Sequence, residues 1–307
     1  MQIWPRVRAK KALPRIRTWP KIAGAKLTCF IGYKTAMTHI ILRDNRPNSM
    51  TKGQIISMPA TIIECPPLKT LSLRFYKKTI DGLKLISEAF SKNLSKELLK
   101  HYKIPKKQGK EPENFDEVRL VIYTQPKLTT IGRKKPEIIE MNIPGIDTKE
   151  RLEYAKSLFD KEVKIADIFK LGQYIDVHAV SKGKGFQGTV KRYGVPLMQH
   201  KAEKKKRGIG TLGSWHPHKV QYTVAQPGKM GYHSRVEYNK LIFKISSNPK
   251  EINPKSGFGR YGIVKNDYIL VKGSIPGPAK RGILLTEPIK PDKKAFFPEI
   301  ISINLIK

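Results

Sequence analysis

Apolar positions along this chain change period more than once. Between Leu27 and Lys78 they fall in short runs rich in β-branched and aromatic residues: Thr38–Arg43, Ala60–Cys65 and Thr70–Tyr76. Pro, Gly and Asn clusters bound these runs, which predicts strands joined by turns. From Leu83 to Tyr102 the spacing becomes helical: Ile86, Phe90, Leu94 and Leu98 recur every four residues and predict a helix with one apolar stripe. Lys103–Asn114 is a polar loop, and Val118–Tyr123 and Glu137–Ile143 read as strands. Asp147-Thr148-Lys149-Glu150 has the form of a capping box and predicts a helix with Leu152, Ala155, Leu158 and Phe159 inward. Strand signatures return at Gly172–Val180, Leu241–Ser246, Tyr268–Lys272 and Gly282–Thr286. Ile275-Pro276-Gly277-Pro278 predicts a rigid turn, and the apolar segment Phe296–Ile306 is expected to dock. The pattern as a whole predicts a mainly β protein with an α/β insertion, in which several short strands form a small barrel or sandwich.

Charge divides the chain along the same lines. The 307 residues carry a net charge of +35, and 39% are hydrophobic, enough for a real core. Residues 81–176 hold 19 basic and 16 acidic side chains; everything else holds 41 basic and 9 acidic. The middle block is an ordinary solvated subdomain, and the flanks form the binding body. An excess of this size points to a polyanion, nucleic acid before a membrane surface. No apolar run reaches membrane-spanning length, no signal peptide is indicated, and the two cysteines form no metal pair or disulfide framework. A reducing, cytoplasmic setting is expected.

The excess peaks in Ser181–Arg235, with twelve Lys and Arg against one acid, Glu203. Nine glycines and three prolines interrupt it, so a long helix is excluded. Aromatic residues and histidines alternate with the cations. Cations hold phosphates, flat rings stack on bases, and glycines let backbone approach a sugar–phosphate chain. This predicts an RNA-contacting arm. Met1–Lys26 has eight basic residues, no acid, three helix-breaking prolines, and Trp4 and Trp19 among its arginines. It reads as a second arm, extended and ordered only on a partner. The candidate RNA contacts are Arg6, Arg8, Lys10, Lys11, Arg15, Arg17 and Trp19 in the first arm. In the central stretch they are Lys182, Lys184, Phe186, Gln187, Lys191, Arg192, His200, Lys204, Lys205, Lys206, Arg207, Trp215, His216, His218, Lys229, His233 and Arg235. Lys272, Lys280 and Arg281 complete the set.

Two motifs have sharper readings that fail. Gly183–Gly188 is a literal GxGxxG, but Gly194 and Pro196 follow at once and no acid stands about 20 residues on in a suitable context, so a dinucleotide fold is not supported. The kinase elements VAIK, HRD and DFG are absent. Trp215-His216-Pro217-His218 has no cysteine or acid nearby and is surrounded by cations, which disfavours a metal site. No cofactor is expected. An RNA-modifying enzyme would need a catalytic acid–base pair, and only Glu203 and the histidines are eligible. A membrane-surface protein would need a basic amphipathic helix, which Gly and Pro preclude here.

Long stretches resemble one family. FKLGQYIDVHAVSKGKGFQGTVKR (Phe169–Arg192) resembles the signature of the large-subunit ribosomal protein L three family. GSWHPHKVQYTVAQPGKMGYHSRVEYNK, LVKGSIPGPAKRG, WPRVRAKKALPRIRTWP and IGYKTAMTHI resemble the following loop, a late strand–turn and the opening of its archaeal and eukaryotic members. The resemblance implies a six-stranded Greek-key barrel of the translation-protein type, with a long extended loop and a basic N-terminal arm. It implies a structural, non-enzymatic role in the large subunit, early in assembly at the 3′ part of its rRNA. Partners would be large-subunit rRNA and neighbouring large-subunit proteins, with no membrane and no small-molecule substrate. It also implies that Gly213, Ser214, Trp215 and His216 form a loop tip near the peptidyl transferase centre. The expected division is a basic extension (1–26), first barrel part (27–80), inserted α/β subdomain (81–170), barrel strand and turn (171–196), extended loop (197–235), barrel remainder (236–290) and docked C-terminal segment (291–307).

Overall fold

The computed structural model describes residues 6–105, 109–202, 204–291 and 299–304. Trp4, Glu203 and parts of the Phe296–Ile306 segment lie outside them. In chain order the elements are β1 (Cys29–Arg43), β2 (Ile55–Glu64), β3 (Leu68–Thr79), β4 (Gly82–Phe90), α1 (Lys96–His101), β5 (Glu117–Tyr123), β6 (Ile138–Asn142), α2 (Thr148–Ser157) and β7 (Glu162–Val163). There follow β8 (Tyr174–Val180), β9 (Phe186–Gln187), α3 (Thr189–Tyr193), β10 (Gly228–Lys229), β11 (Ser234–Ser246), β12 (Tyr268–Lys272), β13 (Gly282–Thr286) and β14 (Glu299–Asn304). The protein is mainly β.

Antiparallel pairings run from β1 to β2, β12, β11, β8 and β13, and β13 pairs back onto β1. The ring closes because β1 pairs on both edges: Cys29–Tyr33 take β13 and Tyr33–Arg43 take β2, while β14 adds to His39–Arg43 outside the circuit. Ring strands feed two cores. Ile62, Phe243 and Leu270 join one cluster, while their neighbours Ile63, Ile242 and Ile269 join the other. Both faces are buried, so β12 and β13 read as continuous apolar runs without alternation. The second cluster also takes Leu73, Phe75, Leu120 and Ile122 from a separate sheet of order β4-β3-β5-β6, with β7 on β3. One core thus joins ring and second sheet.

Three expectations are corrected. The boundary at residue 80 moves back to the turn before Leu68, because β3 pairs only with β4, β5 and β7. The helix expected over Leu83–Tyr102 is β4, a turn and the short α1. Gly82, at φ +118°, closes a hairpin that pairs β4 with β3, and that pairing outweighs the four-residue spacing. Phe90, Leu94 and Leu98 still share one small core, but Ile86 is exposed. Finally, the described part of the N-terminal arm lies on the body. Pro14, Ile16 and Pro20 are buried, and Leu13 and Trp19 pack against the main core. Apolar side chains every three residues give the arm enough surface to dock without a partner. α2 secures its end: Ala25 N–H donates to Glu150 at 3.2 Å and Leu27 N–H to the Tyr154 hydroxyl at 3.2 Å.

The turn between β1 and β2 is built on Asp44. Its carboxylate accepts from Arg46 Nε at 2.8 Å and from the Ser49 and Thr51 hydroxyls at 2.6 Å each. Arg46 first, then the two hydroxyls, hold its pKa far below the ordinary carboxylate range. The depressed value means Asp44 contributes its full stability above the unfolded pKa of about 3.9, and loses it as pH falls further. The melting-temperature gap between wild type and Asp44→Asn should therefore be constant from neutral pH to about pH 5 and shrink below about pH 4. A gap that widened on acidification would contradict this.

Candidate nucleic-acid interface

β8 and β11 are neighbours in the ring, and their ends launch and receive the basic stretch. Val180 pairs with Ser234 and Ala179 with Arg235. Beyond them the two chains stay together. Ser181 N–H donates to the His233 carbonyl at 2.9 Å, Lys184 N–H to Met230 at 2.9 Å, and Met230 N–H to Gly185 at 2.8 Å. β9 and β10 extend the pairing through Phe186 opposite Lys229 and Gln187 opposite Gly228. The result is a two-stranded stalk on the ring. Lys182, Lys184, Phe186 and Lys229 are exposed along it. Gln187 is half-covered and donates to the Lys184 carbonyl at 2.7 Å.

Beyond the stalk, α3 ends at Gly194, whose φ of +71° reverses the chain. The Thr189 hydroxyl donates to the Arg207 carbonyl at 3.1 Å, and Met198 N–H to the Lys206 carbonyl at 3.0 Å. These bonds fold the Lys204–Arg207 run back toward α3 while its four side chains stay in solvent. Lys191 and His200 are also exposed, and Arg192 is half-covered, donating to the Gln226 carbonyl at 2.7 Å. Every residue from Thr211 to Val220 is exposed. Trp215, 80% exposed, meets the His218 ring edge-on with centroids 5.7 Å apart; His216 and His218 are 4.4 Å apart. Gly213, Ser214, Trp215 and His216 thus stand on an exposed aromatic projection, not in a core.

The N-terminal segment runs beside the stalk. Ala9 N–H donates to the Tyr232 carbonyl at 2.8 Å, and the Val7 carbonyl lies 2.9 Å from His233 Nδ1. The Arg6 guanidinium sits 4.4 Å from the Tyr193 ring centroid and donates to the Arg192 carbonyl; Arg8 sits 5.7 Å from Tyr232. On the other flank Arg281 lies 5.1 Å from the same Tyr232 ring and donates to the Val180 carbonyl at 2.9 Å. Lys280 beside it, and Arg235 at the stalk base, are exposed. Three segments far apart in sequence therefore bring their cations to one stalk. Lys10, Lys11, Arg15 and Arg17 are exposed farther along the docked arm.

Three candidate residues sit elsewhere than expected. His233 is buried and faces the Val7 carbonyl, so it holds the arm instead of presenting a ring to RNA. Trp19 is partly buried against the main core. Lys272 lies off the stalk, on β12 beside Arg46, Tyr174 and Lys240. Burial, and then Arg46, lower its pKa. Tyr193 and Tyr232 were not candidates, yet each holds guanidinium groups. The adjacency Arg192-Tyr193 was the available signal.

Counter-charge is distributed unevenly. The second sheet is laced with ion pairs, including Arg74–Glu88, Arg74–Glu140 and Arg119–Glu140. Among the described residues, no cation between Ser181 and Arg235 is in an ion pair. Like charges gathered without carboxylates create a strongly positive potential that a polyanion relieves. Among the described residues, no group of three His, Cys, Asp or Glu is placed to hold a metal, and no helix is long and apolar enough to cross a membrane.

Comparison with known proteins agrees in extent. The family model described as Ribosomal protein L3 matches residues 1–115 and 105–307. A protein of Methanobrevibacter smithii named large ribosomal subunit protein uL3 is 43% identical, covering 95% of this chain and 90% of its own. Proteins of the same name from Archaeoglobus fulgidus (44% identical, 95% and 91% covered) and Picrophilus torridus (45%, 96% and 92%) are similarly related. With a family model aligned over both halves and relatives above 40% identity along nearly the whole length, the chain belongs to the ribosomal protein L3 family.

Proposed function

We propose that this protein is a structural constituent of the large ribosomal subunit, without chemistry of its own, that binds large-subunit rRNA through the stalk, its projection and the docked arm. The observation that carries this is the stalk itself: cations from residues 6–8, 181–235 and 280–281 converge there, and among the described residues none in the central stretch is in an ion pair. The names of the relatives support the large subunit as the setting. The ring is read as a six-stranded Greek-key barrel of the translation-protein type; its closed six-strand circuit supports this. The second sheet, near neutral, faces neighbouring large-subunit proteins or solvent. The Gly213–His216 projection points toward the peptidyl transferase centre, and the protein enters early in assembly at the 3′ part of the rRNA.

Binding of isolated rRNA fragments should fall steeply with salt, with a slope of about −0.7 to −0.9 per phosphate contacted. Replacing Lys204, Lys205, Lys206 and Arg207 together with Gln should make the slope shallower and weaken incorporation into subunits. A salt-independent affinity would remove the electrostatic reading.

Trp215→Ala separates stability from function. A core tryptophan would lose about 3–5 kcal/mol on truncation. Exposed as it is, Trp215→Ala should melt within about 0.5 kcal/mol of wild type. A ring on a base contributes about 1–3 kcal/mol, small beside the phosphate contacts, so subunits should still form. Translation should be altered, most visibly in tRNA or factor binding. Normal melting together with unchanged translation would leave the projection without this role.

A further inference from the structure

Tyr193 and Tyr232 lie in the aromatic-and-cation pattern that, in a sequence, reads as base stacking. Their surroundings differ from that expectation. Tyr193 has Arg6 at 4.4 Å and Arg192 at 5.1 Å from its ring centroid; Tyr232 has Arg8 at 5.7 Å and Arg281 at 5.1 Å. In each case one arginine comes from the N-terminal arm and the other from the body. Three of the four are pinned by a backbone carbonyl: Arg6 on Arg192, Arg192 on Gln226 and Arg281 on Val180. Among the described residues none of the four is in an ion pair. Glu137 is near enough to attract Arg281 but makes no ion pair with it; its Oε1 is engaged by Arg133 and its Oε2 is buried.

Two guanidinium groups held beside one ring repel each other, and cation–π attraction at partly exposed sites is worth only about 0.5–1 kcal/mol each. An anion bound at these guanidinium groups relieves that repulsion, because guanidinium presents a planar fork that matches two phosphate oxygens. We propose that Arg6–Tyr193–Arg192 and Arg8–Tyr232–Arg281 are two phosphate clamps on the RNA backbone, in which the tyrosines position arginines and do not stack on bases. This rests on the RNA-binding reading above and deepens it. It also makes the arm part of the site: residues 6–8 supply half of each clamp.

The test uses the full chain and two probes, poly(U) RNA and long-chain inorganic polyphosphate, the second having charge but no bases. Tyr193→Leu/Tyr232→Leu should weaken binding of both probes and make the poly(U) salt slope shallower by about 1.4, the loss of two single-strand phosphates. Tyr193→Phe/Tyr232→Phe keeps the rings and should bind as wild type. Arg6→Gln/Arg8→Gln leaves the tyrosines and stalk intact and should reproduce the loss, which covers the case in which the leucine variant fails to fold. If the leucine variant weakened poly(U) alone, the tyrosines would be stacking on bases and the clamp would be wrong. Equal binding of both probes by the leucine and glutamine variants would also overturn it. A wild type that bound neither probe would instead overturn the RNA reading itself.

Discussion

Glu64→Leu should lower the melting temperature by about 10 °C, the largest drop expected of any single change considered for this protein. Glu64 ends β2 and is completely enclosed. Its Oε1 accepts from the Lys265 N–H at 2.9 Å, the Asn266 N–H at 3.0 Å and the Asn266 side-chain amide at 2.7 Å. Its Oε2 takes the Tyr261 hydroxyl. Burial first, and then the Glu64 charge, push the Tyr261 pKa far upward, so the hydroxyl remains a donor. One carboxylate thus satisfies the segment that leads into β12, a ring strand. Hydrogen bonds to a charged acceptor contribute about 1.5–3 kcal/mol each, and leucine would leave the Lys265 and Asn266 N–H groups unpaired, while the Asn266 amide keeps the Leu128 carbonyl at 3.2 Å. A combined loss of about 4 kcal/mol is a conservative sum, given that such terms are not additive. Glu64→Gln keeps the Oε1 acceptor and should cost less than half as much. Equal melting of the two variants would show that packing, not the carboxylate, secures the segment.

Gly231→Ala should be the most damaging single change for RNA binding, with affinity for rRNA fragments reduced more than tenfold at physiological salt. Gly231 has φ +74°, and an added Cβ would lie 2.1 Å from the Lys182 carbonyl oxygen. That atom is backbone, so the stalk strands must part. Parting them moves Tyr232, which carries Arg8 and Arg281, and His233, which holds the arm at Val7. Gly185 provides the comparison. Its φ is +70°, but nothing lies within 4 Å of its would-be Cβ. Gly185→Ala should cost only the left-handed backbone penalty of about 1–2 kcal/mol and leave binding within about threefold. Matching losses in the two variants would mean that backbone conformation, not stalk closure, sets affinity.

These two residues also mark where sequence reading stops. The polyanionic partner was legible from charge alone, because twelve cations against one acid cannot be paired internally or buried. Strands at Tyr268–Lys272 and Gly282–Thr286 were legible because β-branched runs between turn residues have few other solutions. Glu64, by contrast, reads as an ordinary surface acid: its donors lie about 200 positions away, and no local pattern announces them. Gly231 is one glycine among nine in its stretch, and only the opposite strand of the stalk distinguishes it from Gly185.

Composition and neighbours along the chain suffice to point to a polyanionic class of partner, a mainly β composition and the location of the basic stretch. Tertiary structure decided the rest. It made a strand of Gly82–Phe90 because pairing with β3 outweighs a four-residue apolar spacing that either element can satisfy. It laid the arm on the body because Leu13, Ile16 and Trp19 find a core contributed by other segments. It turned His233 inward and set guanidinium groups beside Tyr193 and Tyr232, since those partners are assembled from residues 6–8, 181–235 and 281, which only the closed ring brings together.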